Sequence, residues 1–336
     1  MKIDYLDKFK GTLMGVAIGD TLGRPFEGLI RIKVHSQFDN FKDYIITNKK
    51  KFNTYTDDTQ LTLHTAKALI NGAGFKLEYL IREFINWLDN PPIGPGFGCI
   101  SSIQKLKYGI PWEEAASKSG GNGTAMRVSP IGLLFCKDPK KLEEAAIKSS
   151  IITHSHPAAS AGALVIAKAI AYLINLQPDT EFSIERFFEY ITEPLTRSQD
   201  KIWLEFINIL NNVRKNINIS IEAGLIKFSQ AGVKAPFFIE QFLGRAFVHP
   251  YALSTVACAI FIFLKQISSF EDCIYELATA GGDSDTVAAI GGSLIGCYKG
   301  MKNIPTELVN LTKNYQDILT ISEELYDLFE KSYLMV

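Results

Sequence analysis

Helical periodicity runs through almost the whole chain and strand alternation through almost none of it, which removes most fold classes at once. Leu6, Phe9, Leu13, Val16 and Ala17 share one face of an opening helix. Leu61, Leu63, Ala66, Leu69 and Ile70 form a second stripe, and Leu80, Phe84 and Leu88 a third. Further helices are expected at 141–152, 158–175, 199–217, 251–267, 271–280, 284–298 and 305–331. The one at 158–175 is apolar on most faces and therefore central. Pro and Gly make Asn90–Gly98 (NPPIGPGFG) a loop, and Gly120–Gly123 another; residues 177–180 and 227–236 read as connectors. With no charge block, low-complexity tract or internal repeat, residues 1–336 predict a single all-α domain.

Composition narrows the function classes. Hydrophobic residues at 47% and charged residues at 21% describe a globular chain. The net charge of −1 supplies no general field for nucleic acid or acidic lipid, so any phosphate must be held locally. The longest nearly uninterrupted apolar run, Ala252 to Leu264, is too short for a bilayer. The opening MKIDYLDKFKG lacks an apolar signal segment. Five cysteines, odd in number and without a CxxC pair, argue for a reducing compartment, and a cytoplasmic location is expected.

Two short stretches carry the chemistry: YTDDTQ at 55–60 and GGDSDT at 281–286. Each precedes a helix, so helix capping by Asp and Thr is one reading. A cap needs a single side chain, however, whereas Thr56, Asp57, Asp58 and Thr59 offer four, and adjacent carboxylates repel unless a cation sits between them. Asp283 and Asp285 repeat the pattern. Oxygen ligands without Cys suit Mg²⁺ or Mn²⁺, and two facing clusters suit a pair of ions roughly 3.5–4 Å apart. The helix starts are expected to aim the side chains, so that both readings hold together.

The remaining signals are weaker singly. GGNGTAMR (120–127) reads either as an anion nest ahead of a helix at 124–135 or as a tight turn. Gly94–Gly98 is a similar loop in which Phe97 offers a stacking face. In THSHP (153–157), His154 and His156 precede a helix that Pro157 can open, and contact with a polar ligand or capping is expected of them. His35, His64 and His249 read as surface or satisfied core residues.

Taken together the chain resembles the ADP-ribosylglycohydrolase family. The matching pieces are GTLMGVAIGDTLGRPFEG (11–28), YTDDTQLTLHTAKAL (55–69), IGPGFGCISSIQKL (93–106), SGGNGTAMRVSPIG (119–132), ITHSHPAASAGA (152–163) and AGGDSDTVAAIGGSLIGCYKG (280–300), in family order. Residues 175–240 and the last helix carry no such piece. The resemblance implies an all-α orthogonal bundle with a two-metal cleft, with Thr56, Asp57 and Asp58 in the first metal motif and Asp283, Asp285 and Thr286 in the second. It implies that Glu27 lies beside the metals as gate or proton shuttle, with Asp58 and Asp285 central to catalysis. Ser119, Gly120, Gly121, Asn122 and Gly123 would cradle diphosphate and ribose, with His154, His156 and Phe97 bordering the ligand. The implied activity is metal-dependent release of ADP-ribose from a protein side chain, arginine slightly ahead of serine. The partner is then an ADP-ribosylated protein, with no nucleic acid or membrane. Ser284 and GRAFVHP (244–250) depart from the family pattern, the latter on the target side. Two rival readings remain: an ADP-ribose-binding protein without turnover, and a hydrolase of another ADP-ribosyl or nucleotide small molecule.

Overall fold

The computed structural model describes residues 3–177 and 180–335. Among these residues all regular structure is helical, and extended pairing is limited to three isolated bridges, Ser117–His154, Gly121–Tyr251 and Val248–Gly282. Helix α1 (Tyr5–Gly23) opens the chain, and Asp4 caps it by accepting from the Asp7 N–H. The segment 24–56 holds only short pieces: a 3₁₀ turn at Arg24–Phe26, α2 (Arg31–His35), α3 (Phe41–Thr47) and a second 3₁₀ turn at Lys49–Phe52. Then come α4 (Asp57–Asn71), α5 (Leu77–Asp89), α6 (Phe97–Lys107), α7 (Trp112–Ala115), α8 (Ser129–Leu134), α9 (Pro139–Ile151) and α10 (Pro157–Ile174). The second half adds α11 (Ile184–Thr196), α12 (Lys201–Lys215), α13 (Ile221–Phe228) and α14 (Ala252–Lys265). Helices α15 (Phe270–Ala278), α16 (Ser284–Lys299), α17 (Thr306–Leu311) and α18 (Tyr315–Tyr333) complete it.

The all-α expectation holds, with local corrections. The helix expected at 124–135 begins only at Ser129, and residues 124–127 form turns. Phe97 and Gly98 are the first residues of α6, not loop. The helix expected at 305–331 is two helices, broken where Asn314 adopts φ +53°. Helices α2, α3, α6, α7, α11 and α13 lie where none was expected. In α11, Phe187, Phe188, Ile191 and Leu195 are buried on one face, with Pro194 accommodated in its last turn. The connector expected at 177–180 falls partly outside the described residues. Helix α10 is long and apolar enough to cross a bilayer, contrary to the expectation that no such run exists, but 89% of it is buried in the bundle. It is a core helix.

The centre of the bundle is a seam between α1 and α16 in which side chains are nearly absent. Gly11, Gly15, Gly19 and Gly23 recur every fourth residue on α1, facing Gly296, Gly292, Ala288 and Ser284, which recur with the same spacing on α16. A Cβ on any of these four glycines would meet opposing backbone at under 3.0 Å. Residues four apart lie on one helix face, so the seam runs the length of both helices. It fixes their register and sets Asp20 of α1 beside the acidic start of α16.

Candidate active site

Four buried acids converge at the end of that seam. Asp20 lies in the last turn of α1, Asp57 and Asp58 open α4, and Asp285 lies in the first turn of α16. Carboxylate oxygens of Asp20, Asp58 and Asp285 lie within 4.8 Å of one another. Thr56 and Asp283 occupy N-cap positions, yet neither side chain makes a capping bond. The expectation that the knots cap their own helices is corrected here. Helix α4 is capped from another helix: Asp20 accepts from the Thr56 N–H at 2.9 Å, the Thr59 N–H at 3.0 Å and the Thr59 hydroxyl at 2.6 Å. A helix start needs such acceptors, and a carboxylate suits its positive end.

The electrostatics are one-sided. Thr56 Oγ1 lies 2.9 Å from Asp20 Oδ1 and 3.0 Å from Asp58 Oδ2, but its single proton serves one of them. The Thr286 hydroxyl donates to Asp58 Oδ2 at 3.3 Å, and Asp58 Oδ1 is buried with no hydrogen-bond partner. Burial, then the charges of Asp20 and Asp285, hold the Asp58 carboxyl well above the usual range. Burial, then Asp283 and Glu27, do the same to Asp285. Burial chiefly pushes Asp57 up to about 8 and raises Asp20 and Asp283. Arg127 acts on Asp57 and His249 on Asp283 only from a distance, and among the described residues no Lys or Arg forms an ion pair with any of the five. An all-oxygen donor set with an orphaned buried carboxylate atom fits a hard divalent cation, which would supply the missing countercharge.

Glu27 sits at the mouth, where partial burial and Asp283 raise its pKa and Arg24 opposes them. Its place is fixed by backbone: the Gly28 N–H donates to Gly282 O and the Gly282 N–H to Leu29 O, both at 2.8 Å. Gly281 and Gly282 adopt φ +82° and +75°, and a Cβ on Gly282 would strike the Val248 backbone. The two glycines of GGDSDT therefore serve the turn that joins Glu27 to Asp283.

The glycine loop borders the opposite side. Asn122 donates through Nδ2 to Asp283 and to the Thr255 hydroxyl, linking the loop to the acids. The Gly121 N–H is taken by Ser119 Oγ and the Asn122 N–H by Pro250 O. With α8 starting at Ser129, the loop does not run directly into a helix of its own, so that part of the anion-nest expectation is not met, although the starts of α14 and α16 adjoin it through Ala252 and Asp283. Its glycines answer to neighbours instead: a Cβ on Gly120 would meet the Tyr251 ring, and one on Gly123 the His154 ring. His154 is buried, its Nδ1 2.9 Å from the Thr153 hydroxyl. Burial and the Arg127 charge push its pKa down to about 3, so the imidazole is neutral. Buried Arg127 holds this stretch to the end of α9, donating to Thr153 Oγ1 at 2.7 Å and Ser149 O at 3.1 Å. His156 accepts from the Ala158 N–H at 3.1 Å and caps α10. Phe97 is 85% exposed beside this loop, and Gly98, the next residue, adjoins Ser119 and His154.

The structure thus brings the two acidic stretches, Glu27, Asn122 and the glycine loop together, with His154 packed against the loop and His156 turned to capping. Sequence reasoning passed over Asp20 as a member of the cluster, although an acid inside the otherwise apolar GVAIGDTLG was a usable signal. The roles of Thr255 and Tyr251 had no such signal. The ADP-ribosylglycohydrolase family model matches residues 1–334. The chain belongs to that family. It is 27% identical over 350 residues to ADP-ribosylhydrolase ARH3 of Xenopus tropicalis, covering 96% of each chain. It is 23% identical over 303 residues to the ADP-ribosyl-[dinitrogen reductase] glycohydrolase of Rhodospirillum rubrum, covering 89% of this chain and 88% of that one. A solved ADP-ribosylglycohydrolase-related protein complex shares the fold, with TM-score 0.72 and 22% identity over 97% of this chain and 99% of that one. As a family member this ADP-ribosylglycohydrolase is a hydrolase of ADP-ribosyl linkages.

Proposed function

We propose that this ADP-ribosylglycohydrolase releases ADP-ribose from a modified protein side chain, arginine ahead of serine, using two Mg²⁺ or Mn²⁺ ions held by Thr56, Asp57, Asp58, Asp283, Asp285 and Thr286. To these ligands we add Asp20. The observation that carries the reading is the orphaned Asp58 Oδ1 within a triad of buried carboxylates that, among the described residues, makes no ion pair with Lys or Arg. When bound, such ions would hold vicinal ribose hydroxyls and a water and lower that water's pKa. In the reaction the bond from C1″ to the acceptor atom breaks, the water oxygen joins C1″, and one water proton passes to the leaving side chain.

The residues around the acids divide this work. To Glu27, raised in pKa by partial burial and Asp283, we assign the transfer of the water's proton or the gating of entry. The carboxylates stabilise positive charge developing at C1″. Ser119, Gly120, Gly121, Asn122 and Gly123 orient the diphosphate and ribose, and Phe97 offers its exposed face to the adenine. Neutral His154 packs behind the loop and holds its shape. The reading places the protein in a reducing cytoplasm, which the five free, buried cysteines support. Its partner is ADP-ribosylated protein, not nucleic acid or a membrane.

The deciding experiment is mass-resolved hydrolysis of arginine-linked and serine-linked ADP-ribose peptides, with Mg²⁺ and with EDTA. Release of ADP-ribose from the arginine-linked peptide only with metal is expected. Activity that survives EDTA overturns the metal assignment, and faster cleavage of the serine link reverses the acceptor order.

A further inference from the structure

Beside the acidic floor lies a groove of opposite sign. Arg24, Pro25, Glu27, Gln37, Lys50 and Lys51 are among the residues lining a depression of about 590 Å³. None of its lining residues belongs to the glycine loop or is His154 or Phe97, so it is separate from the proposed nucleotide subsite, and Glu27 is the one acid that lines it. Lys49, Lys50 and Lys51 form a single exposed 3₁₀ turn ending in buried Phe52. Phe52 packs against Phe26 at 6.1 Å, and Phe26 immediately precedes Glu27. The basic turn is thereby anchored to the residue at the reaction's mouth. Lys51 lies over the Tyr44 ring at 5.1 Å and donates to the Tyr44 hydroxyl at 2.8 Å. Among the described residues, Arg24, Lys49, Lys50 and Lys51 make no ion pair with a carboxylate, whereas Lys42, in the same segment, pairs with Glu271 and Glu307.

A cluster of unpaired cations is not needed to balance the protein, whose net charge is −1. We infer that this groove receives an acidic stretch of the target protein next to its ADP-ribosylated residue. The inference rests on the proposed function for the position of the modified side chain. A protein segment fits better than a nucleic-acid strand, because the only aromatic lining the groove, Tyr44, is engaged by Lys51 and leaves no free ring on which bases could stack. Charges at a rim chiefly set encounter rate and specificity and are screened by salt, so KM and its salt dependence should carry the effect.

The test compares two ADP-ribosylated peptides of equal length, one with Asp and Glu flanking the modified residue and one with Ser and Gly, using the wild type and Lys50→Glu/Lys51→Glu. Expected for the wild type is a KM about tenfold lower on the acidic peptide, shrinking as salt rises from low to high, with kcat alike. The double variant should lose that preference while changing its KM for ADP-ribosyl-arginine less than twofold. Equal KM for the two peptides in the wild type overturns the proposal. So does a variant that loses equally on both peptides or on free ADP-ribose, which would put phosphate in the groove. Competition by a duplex oligonucleotide stronger than by an unmodified acidic peptide of equal charge would assign it to nucleic acid instead. Fluorescence anisotropy of the labelled, unmodified acidic peptide separates the two readings. Salt-sensitive binding lost in the double variant, without hydrolysis of any substrate, keeps the groove and sinks the hydrolase reading; no binding sinks the groove.

Discussion

The seam of α1 with α16 and the segment 24–56 adjoin the same cleft and are built in opposite ways. In the seam, backbone rests on backbone, and a single added methyl group has nowhere to go. In the segment 24–56, short pieces hang from an aromatic cluster of Phe26, Phe41 and Phe52, and the charged residues Lys49, Lys50 and Lys51 stand in solvent. The first supplies Asp20 and Asp285, whose spacing decides whether a cation is held. The second supplies the rim past which a target arrives. Residues that must hold a geometry are on the part without slack, and residues that face variable partners are on the part that tolerates change.

The largest effect should come from breaking the seam. Ala in place of Gly15 gains about 1 kcal/mol in helix propensity, but its Cβ meets Gly292 O, and overpacking of this kind costs typically 1–3 kcal/mol. Gly15→Ala should therefore lower Tm despite the better helix former, and Gly15→Leu should yield no folded monomer by circular dichroism and gel filtration. A Gly15→Leu protein with native Tm would mean that the two helices are not held at this distance. By contrast Lys50→Ala should leave Tm unchanged.

The next effect concerns the acids that the seam positions. Asp58→Asn keeps the shape and removes a charge, and loss of a metal-holding group should lower hydrolysis by at least about a hundredfold. The same substitution should raise the Tm of the metal-free protein, because it removes a buried carboxylate with an unpartnered oxygen. Activity and stability moving in opposite directions is the signature sought. A fall in both would make Asp58 a structural residue.

The two halves of this comparison were unequally legible in the sequence. The acidic stretches announce themselves, because carboxylates in pairs are expensive anywhere except around a cation. The seam did not, although its glycines stand at a regular spacing of four. Helix α1 is buried from Gly11 to Gly23 on all sides, so a search for a one-sided apolar stripe finds only part of it. Asp20 was hidden for the same reason, since its partners Thr56 and Thr59 lie across a helix–helix contact that local periodicity does not register. Helix α11 was missed because Pro194 argues against a helix that burial of Phe187, Phe188 and Ile191 nevertheless holds.

Metal removal should give a smaller, pH-dependent change. The folded protein holds Asp20, Asp58, Asp283 and Asp285 above the usual carboxylate range and Asp57 at about 8. An acid raised on folding contributes stability that is fully present below its unfolded pKa, about 3.9, and lost as pH rises through the folded value. The Tm of EDTA-treated protein should therefore fall between pH 5 and pH 8. Saturating Mg²⁺ or Mn²⁺ should restore about 5 °C at pH 8 and less at pH 5. A Tm that climbs over this interval without metal would show that the cluster carries no uncompensated charge.

The finest test sets the two sides of the mouth against each other. Phe97 stands exposed and outside the lining of the basic groove, and an aromatic there would add stacking to a base. Stacking of this kind is worth about 1–3 kcal/mol by alanine substitution, so Phe97→Ala should weaken free ADP-ribose by about tenfold in calorimetry. Its kcat should stay within twofold, because stacking on the base is made alike in the ground state and the transition state. Lys50→Glu/Lys51→Glu should leave that calorimetric Kd alone. If Phe97→Ala left ADP-ribose affinity unchanged while the lysine variant weakened it, the nucleotide would lie on the basic side, and the assignment of the two rims would have to be exchanged.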